Sequence, residues 1–65
     1  MLDATKVISQ FGGVRALARA AGLPFNTVQY WKRVGYVPIK QEDRIRRLIR
    51  DQEIDPARFE RSEAA

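Results

Sequence analysis

Glycine divides this chain at the intervals of short helices. Gly12-Gly13, Gly22 and Gly35 separate segments in which apolar residues recur every three or four positions. That is the period of an amphipathic α-helix. Glycine adopts without strain the left-handed conformation that closes a helix, so each of these positions reads as a stop. A chain of 65 residues makes one small domain. A domain of this size buries only about 60% of its unfolded surface, so the core is thin. The sequence holds no Cys and no His, which removes disulfides and the usual zinc ligands. The expected fold is all-α: a small bundle of four or five helices held by packing, over residues 1–60, with 61–65 a frayed tail.

The first helix is expected over Ala4 to Phe11, with Leu2, Val7, Ile8 and Phe11 on one face. Asp3 is its N-cap, and Leu2 and Val7 stand at the spacing of a hydrophobic staple. The second helix runs from about Gly13 to Ala21 around Leu17, flanked by Val14, Ala18 and Ala21. Arg15 and Arg19 point the other way. The third starts at Pro24 or Phe25 and ends near Arg33, with Val28, Trp31 and Pro24 inward and Asn26, Tyr30 and Arg33 outward. Gly35 and Pro38 break the chain between Val34 and Ile39. A fourth helix follows over Lys40 to Asp51, with Ile45, Leu48 and Ile49 inward. Asp55-Pro56 opens a last turn through Phe59 as N-cap and N1 proline.

Two short helices joined by a three-residue turn, the second exposing polar side chains, have the pattern of a helix-turn-helix. The spacing meets its demands. With Val14 as the first position of a twenty-residue unit, Ala18 is fifth, where the helices cross and the side chain must be small. Gly22 is ninth, where φ must be positive. Val28 is fifteenth, where a side chain plugs the angle between the helices. Leu17, Leu23 and Trp31 fill the other inward places.

The stretch FGGVRALARAAGLPFNTVQYWKRVGYVP resembles the Cro-like repressor family of phages and prophages, within the lambda-repressor-like group. The resemblance spans roughly Val7 to Leu48. It is carried by Phe11-Gly12-Gly13, Ala16-Leu17-Ala18, Gly22-Leu23, Thr27-Val28, Trp31-Lys32 and Val37-Pro38. It implies a lambda-repressor-like fold and a sequence-specific repressor that binds double-stranded operator DNA as a homodimer. Some relatives act as antitoxins beside a toxin. Family members often cap the recognition helix with Ser or Thr. Pro24 stands there in this chain, which leaves capping to the Leu23 backbone or to Asn26.

In the helix-turn-helix docking mode the recognition helix enters the major groove. Asn26 and Gln29 can pair with adenine N6/N7, and Arg33 with guanine O6/N7. Tyr30 and Phe25 complete the expected base-reading set: Tyr30 can offer its ring to a thymine methyl or its hydroxyl to a phosphate, and Phe25 can meet a thymine methyl from the helix tip. Backbone phosphates are expected at the start of the second helix, at the amides of Gly13 and Val14, with side-chain contacts from Arg15, Thr27, Lys32 and Lys40.

Each of these residues has a plainer role to weigh beside the functional one. Trp31 reads as core by its inward angle, and Phe25 stands between core edge and DNA contact. Arg44, Arg46, Arg47 and Arg50 suggest a second basic patch, but Glu42, Asp43, Asp51 and Glu53 interleave with them. A solvated, self-compensated face is the expectation. Val37, Ile39, Ile49, Ile54 and Phe59 are candidates for a dimer interface or for core.

The formal charge of +4 suggests an anionic partner. It is unevenly distributed. Residues 1–39 hold five bases and Asp3 as their one acid, while residues 40–65 balance seven against seven. The commonest general base and the thiol nucleophile are both missing, so an enzyme is not expected and no cofactor is implied. No apolar run approaches the roughly 20 residues of a membrane span, and the first residues lack a signal-peptide pattern. A cytoplasmic regulator, held at the nucleoid through DNA, is expected. The alternative from a different class is a helical protein-interaction module or Cro-like antitoxin whose main partner is another protein.

Overall fold

A computed structural model describes residues 1–60. The expected frayed tail, 61–65, lies outside the described residues. Four helices follow in order: α1 (Ala4–Phe11), α2 (Val14–Ala21), α3 (Phe25–Val34) and α4 (Ile39–Asp51), with a 3-10 turn at Pro56–Phe59. The all-α small bundle is the observed class.

The helix ends follow from local chemistry. Asp3 caps α1, its carboxylate accepting the Lys6 amide at 3.3 Å. Asp55 does the same for the 3-10 turn, accepting the Ala57 amide at 2.9 Å. At the C-terminus of α1 the Gly13 amide donates to Ile8 O and the Gly12 amide to Ser9 O. At the C-terminus of α2 the Leu23 amide donates to Ala18 O and the Gly22 amide to Arg19 O. Both pairs are the paired bonds of a Schellman motif, with Gly12 and Gly22 at positive φ. Pro24 is the N-cap of α3, and among the described residues neither the Asn26 side chain nor any other caps it. The Leu23 amide is already engaged in ending α2.

The core gathers Leu2, Val7, Ile8, Leu17, Val28, Trp31, Val37, Ile45, Ile49 and Phe59, together with Ala4, Ala18 and Ala21. Leu17 and Val28 are fully buried and Trp31 nearly so. Small Ala18 and Ala21 on α2 are buried in the core, and α2 packs more extensively against α3 than against any other element. Pro24 departs from the expected inward placement: it is exposed, because the turn carries it past the core before α3 begins. Of the five candidate interface residues, Val37, Ile49 and Phe59 are core and Ile54 packs against it. Ile39 alone remains open, at 83% exposure.

Residues 2 and 3 are extended and lie between two distant segments. Leu2 bridges to Glu60 and Asp3 to Tyr36. The Asp3 amide donates to Phe59 O at 2.7 Å, and the Val37 amide to Leu2 O at 3.0 Å. The chain is thus closed by backbone bonds between its first residues, the α3–α4 connection and the last turn. Among the described residues, no helix is long and apolar enough to cross a membrane.

Candidate nucleic-acid interface

Helix α3 is bound to the core by Val28 and Trp31, which fixes what its other side presents. Asn26, Gln29, Tyr30, Lys32 and Arg33 are all exposed and line one shallow depression on that side. Tyr30 is 51% exposed. No hydrogen bond among the described residues engages the side chains of Asn26, Gln29 or Arg33. Their donors and acceptors are turned to solvent in the forms that can read base edges.

A second shallow groove adjoins the first, between the start of α2 and α3. Gly13, Val14, Arg15, Ala16 and Phe25 line it, and Gln29 and Lys32 belong to both depressions. The surface is therefore continuous, and among the described residues no carboxylate lines either part. The N-terminus of α2 opens into this groove without a side-chain cap. Uncapped amides at a helix start, carrying the positive end of the helix dipole, favour an anion.

Gly13 departs from its expected part. Its amide donates to Ile8 O at 2.9 Å, as the bond that closes α1, and does not face the groove as a free donor. Gly13 serves instead as the N-cap of α2, with φ 130 and ψ 173, its carbonyl accepting the Leu17 amide at 3.0 Å. The first amides left for an anion are those that follow, beginning at Val14.

Arg15 stands over the ring of Phe25, with 5.0 Å from guanidinium carbon to ring centroid. Nothing in the spacing of these residues announces the pair. Arg15 lies in the first turn of α2 and Phe25 opens α3, and only the packing of α2 on α3 brings them together.

Two expected residues stand apart from this surface. Thr27 is half-buried, its amide donates to Pro24 O, and it lines neither depression. Lys40 lines a separate groove with Arg44 and Arg47, beside the C-terminus of α2. There Arg44 Nη1 donates to Ala21 O at 3.0 Å, a cation placed on the terminal carbonyls of α2. The basic run on α4 is self-compensated only in part. Arg46 is paired with Glu42 at 3.0 Å and with Glu60 at 2.8 Å, while the described residues give no ion pair to Arg44, Arg47 or Arg50.

No protein-family model, no curated protein and no solved structure matches the chain. What the fold and this surface define is a small all-α domain whose third helix presents an open polar face that no carboxylate among the described residues lines.

Proposed function

We propose that the protein is a sequence-specific DNA-binding regulator of transcription, a Cro-like repressor that places α3 in the major groove and binds a palindromic operator as a dimer. The observation that carries this reading is the continuity of the exposed surface. Side chains suited to base edges (Asn26, Gln29, Arg33) run without interruption into Lys32, Arg15 and the open start of α2. Base readers fix sequence, and the cations and amides fix register on the backbone. The helix-turn-helix spacing of Ala18, Gly22 and Val28 supports the same reading. The surplus positive charge of residues 1–39 adds attraction for a polyanion. Lys40 is a candidate for an outlying phosphate contact, and Ile39, beside it, for the contact between protomers.

The test is selection of bound sites from random duplex DNA, followed by titration of the best site and a scrambled site at one salt concentration. A selected palindrome with half-sites about 34–36 Å apart, bound more tightly than the scrambled duplex, is the expected result. Equal affinities overturn it.

The exposed aromatics Phe25 and Tyr30, at 40% and 51%, favour a second reading, in which the same face docks another protein as an antitoxin does. A stoichiometric protein complex together with no salt-sensitive DNA binding would decide for that reading.

A further inference from the structure

The pairing of Arg15 with Phe25 gives Phe25 a part other than reading bases. We infer that Phe25 is a positioning residue: its ring seats the Arg15 guanidinium beside the open start of α2, so that the pair holds a backbone phosphodiester of bound DNA. This rests on the DNA-binding reading and deepens it.

A long, exposed arginine side chain samples many rotamers, and fixing it needs a partner. A carboxylate would supply one, but it would occupy the guanidinium's fork of N–H donors. Among the described residues Arg15 has no carboxylate partner. Its partner is the ring of Phe25, at 5.0 Å, within the range of a cation–π contact. An aromatic ring holds the guanidinium by its charge and its plane, and it leaves the N–H fork free for a planar, bidentate grip on phosphate oxygens. Arginine secured in this way is immobilised and still unsatisfied.

Arg15 is the second residue of α2 and Phe25 the first of α3. The pair therefore joins the two helix starts across the groove that the uncapped amides of α2 open into. A phosphate there would meet helix amides on one side and the guanidinium on the other. Because Phe25 belongs to α3, the phosphate seat is held in register with Asn26, the next residue, and with Gln29, one turn along. Phe25 thereby acts on affinity for any duplex, through Arg15, and carries no sequence information itself.

The experiment compares wild type with Phe25→Leu, Phe25→Trp, Arg15→Ala and the double variant Phe25→Leu/Arg15→Ala. Each is titrated with the best selected duplex and with a scrambled duplex at one salt concentration. Leucine keeps apolar bulk and removes the π face, while tryptophan keeps the face. Phe25→Leu should weaken both duplexes equally, by about two- to fivefold, as loss of an exposed cation–π contact would. Phe25→Trp should restore wild-type affinity. The double variant should bind no worse than Arg15→Ala. A change in preference at one base position overturns the proposal and makes Phe25 a base reader, and losses that multiply in the double variant overturn it by showing that Phe25 acts independently of Arg15.

A measurement without DNA separates the pair from the function. The Arg15 side-chain protons should show an upfield ring-current shift in the NMR spectrum of wild type and of Phe25→Trp, and lose it in Phe25→Leu. Absence of that shift in wild type overturns the pairing whatever the protein binds. If the shift is present but wild type binds neither duplex, the DNA reading fails and the phosphate role fails with it.

Discussion

Arg46 joins α4 to the end of the described chain: its Nη2 donates to Glu60 Oε1 at 2.8 Å and to Glu42 Oε1 at 3.0 Å. The other oxygen of Glu60 accepts the terminal ammonium of Met1 at 3.0 Å. The Arg46 hydrogen bond, then that of the amino terminus, holds the Glu60 carboxyl below its ordinary range. A carboxylate with a lowered folded pKa stabilises the fold above its unfolded pKa. That contribution is lost as pH falls through the folded value. Glu60→Gln should therefore destabilise near neutrality, by less than about 1 kcal/mol because the pair is part-exposed. At pH values well below the carboxylate range the variant and wild type should melt together. Urea titrations of both proteins on either side of that range check the sign. A difference that persists in acid would remove the ion pair from the explanation.

The C-terminus of α4 contains a strained residue. The Ile54 amide donates to Ile49 O and the Glu53 amide to Arg50 O, the bond pair of a Schellman motif. The position that glycine takes in α1 and α2 is here held by Glu53, at φ 61. A side chain in the left-handed region costs roughly 1–2 kcal/mol, and a carboxylate at a helix C-terminus opposes the dipole. Glycine removes both penalties and adds unfolded-state entropy of about 0.4–1 kcal/mol in the other direction. Glu53→Gly should stabilise by about 0.5–1 kcal/mol and raise Tm by a few degrees. Glu53→Gln removes only the charge and should recover the smaller part. Thermal melts of the three proteins measure both terms, and a Tm for Glu53→Gly below wild type refutes the strain.

Helix stops and inward faces were legible because they depend on neighbours in sequence. α1 begins and ends where Asp3 and Gly12 place it, and the last turn follows from Asp55-Pro56. α2 ends at Ala21, α3 starts at Phe25 and α4 ends at Asp51, as expected, while three ends differ by a residue: α2 starts at Val14, α3 reaches Val34, and α4 starts at Ile39. What spacing cannot show is which distant segment covers a side chain. Val37 and Ile49 look alike as core or interface until Leu2 and the rest of the core are packed against them. Arg46 with Glu42 is visible as an i,i+4 pair, whereas Glu60 reaches it only through the extended residues that bring the chain ends together. The outward face of α3 was legible from the helical wheel. The Gly13 amide and the Arg15–Phe25 contact were not, since the first depends on how α1 closes and the second on how α2 meets α3.

Gly13 and Gly22 differ in what they would tolerate. At Gly22 an added Cβ meets nothing within 4 Å, and φ 70 lies in the left-handed helical region, which Asn also adopts. At Gly13 the space is equally open, but φ 130 with ψ 173 is a conformation essentially confined to glycine. Gly22→Asn should therefore cost less than about 1 kcal/mol, while Gly13→Asn should cost about 1–3 kcal/mol. Chemical denaturation of the two variants ranks them. Equal losses would mean that backbone conformation does not set the difference.

Arg33 and Arg15 should separate specificity from anchoring on DNA. Arg33 lies on the exposed face of α3 and Arg15 at the start of α2, on the two depressions that Gln29 and Lys32 connect. A bidentate arginine–guanine pair discriminates by about 1–3 kcal/mol, so Arg33→Ala should lower affinity for the selected site and leave scrambled DNA nearly unchanged. Loss of a phosphate contact acts on every sequence alike. Arg15→Ala should weaken both duplexes by similar factors and reduce the salt slope by about one counterion. Binding isotherms on both duplexes across a salt series give these affinities and the salt slope. If Arg33→Ala reduces both affinities equally, Arg33 is a backbone contact and sequence must be read by Asn26 and Gln29.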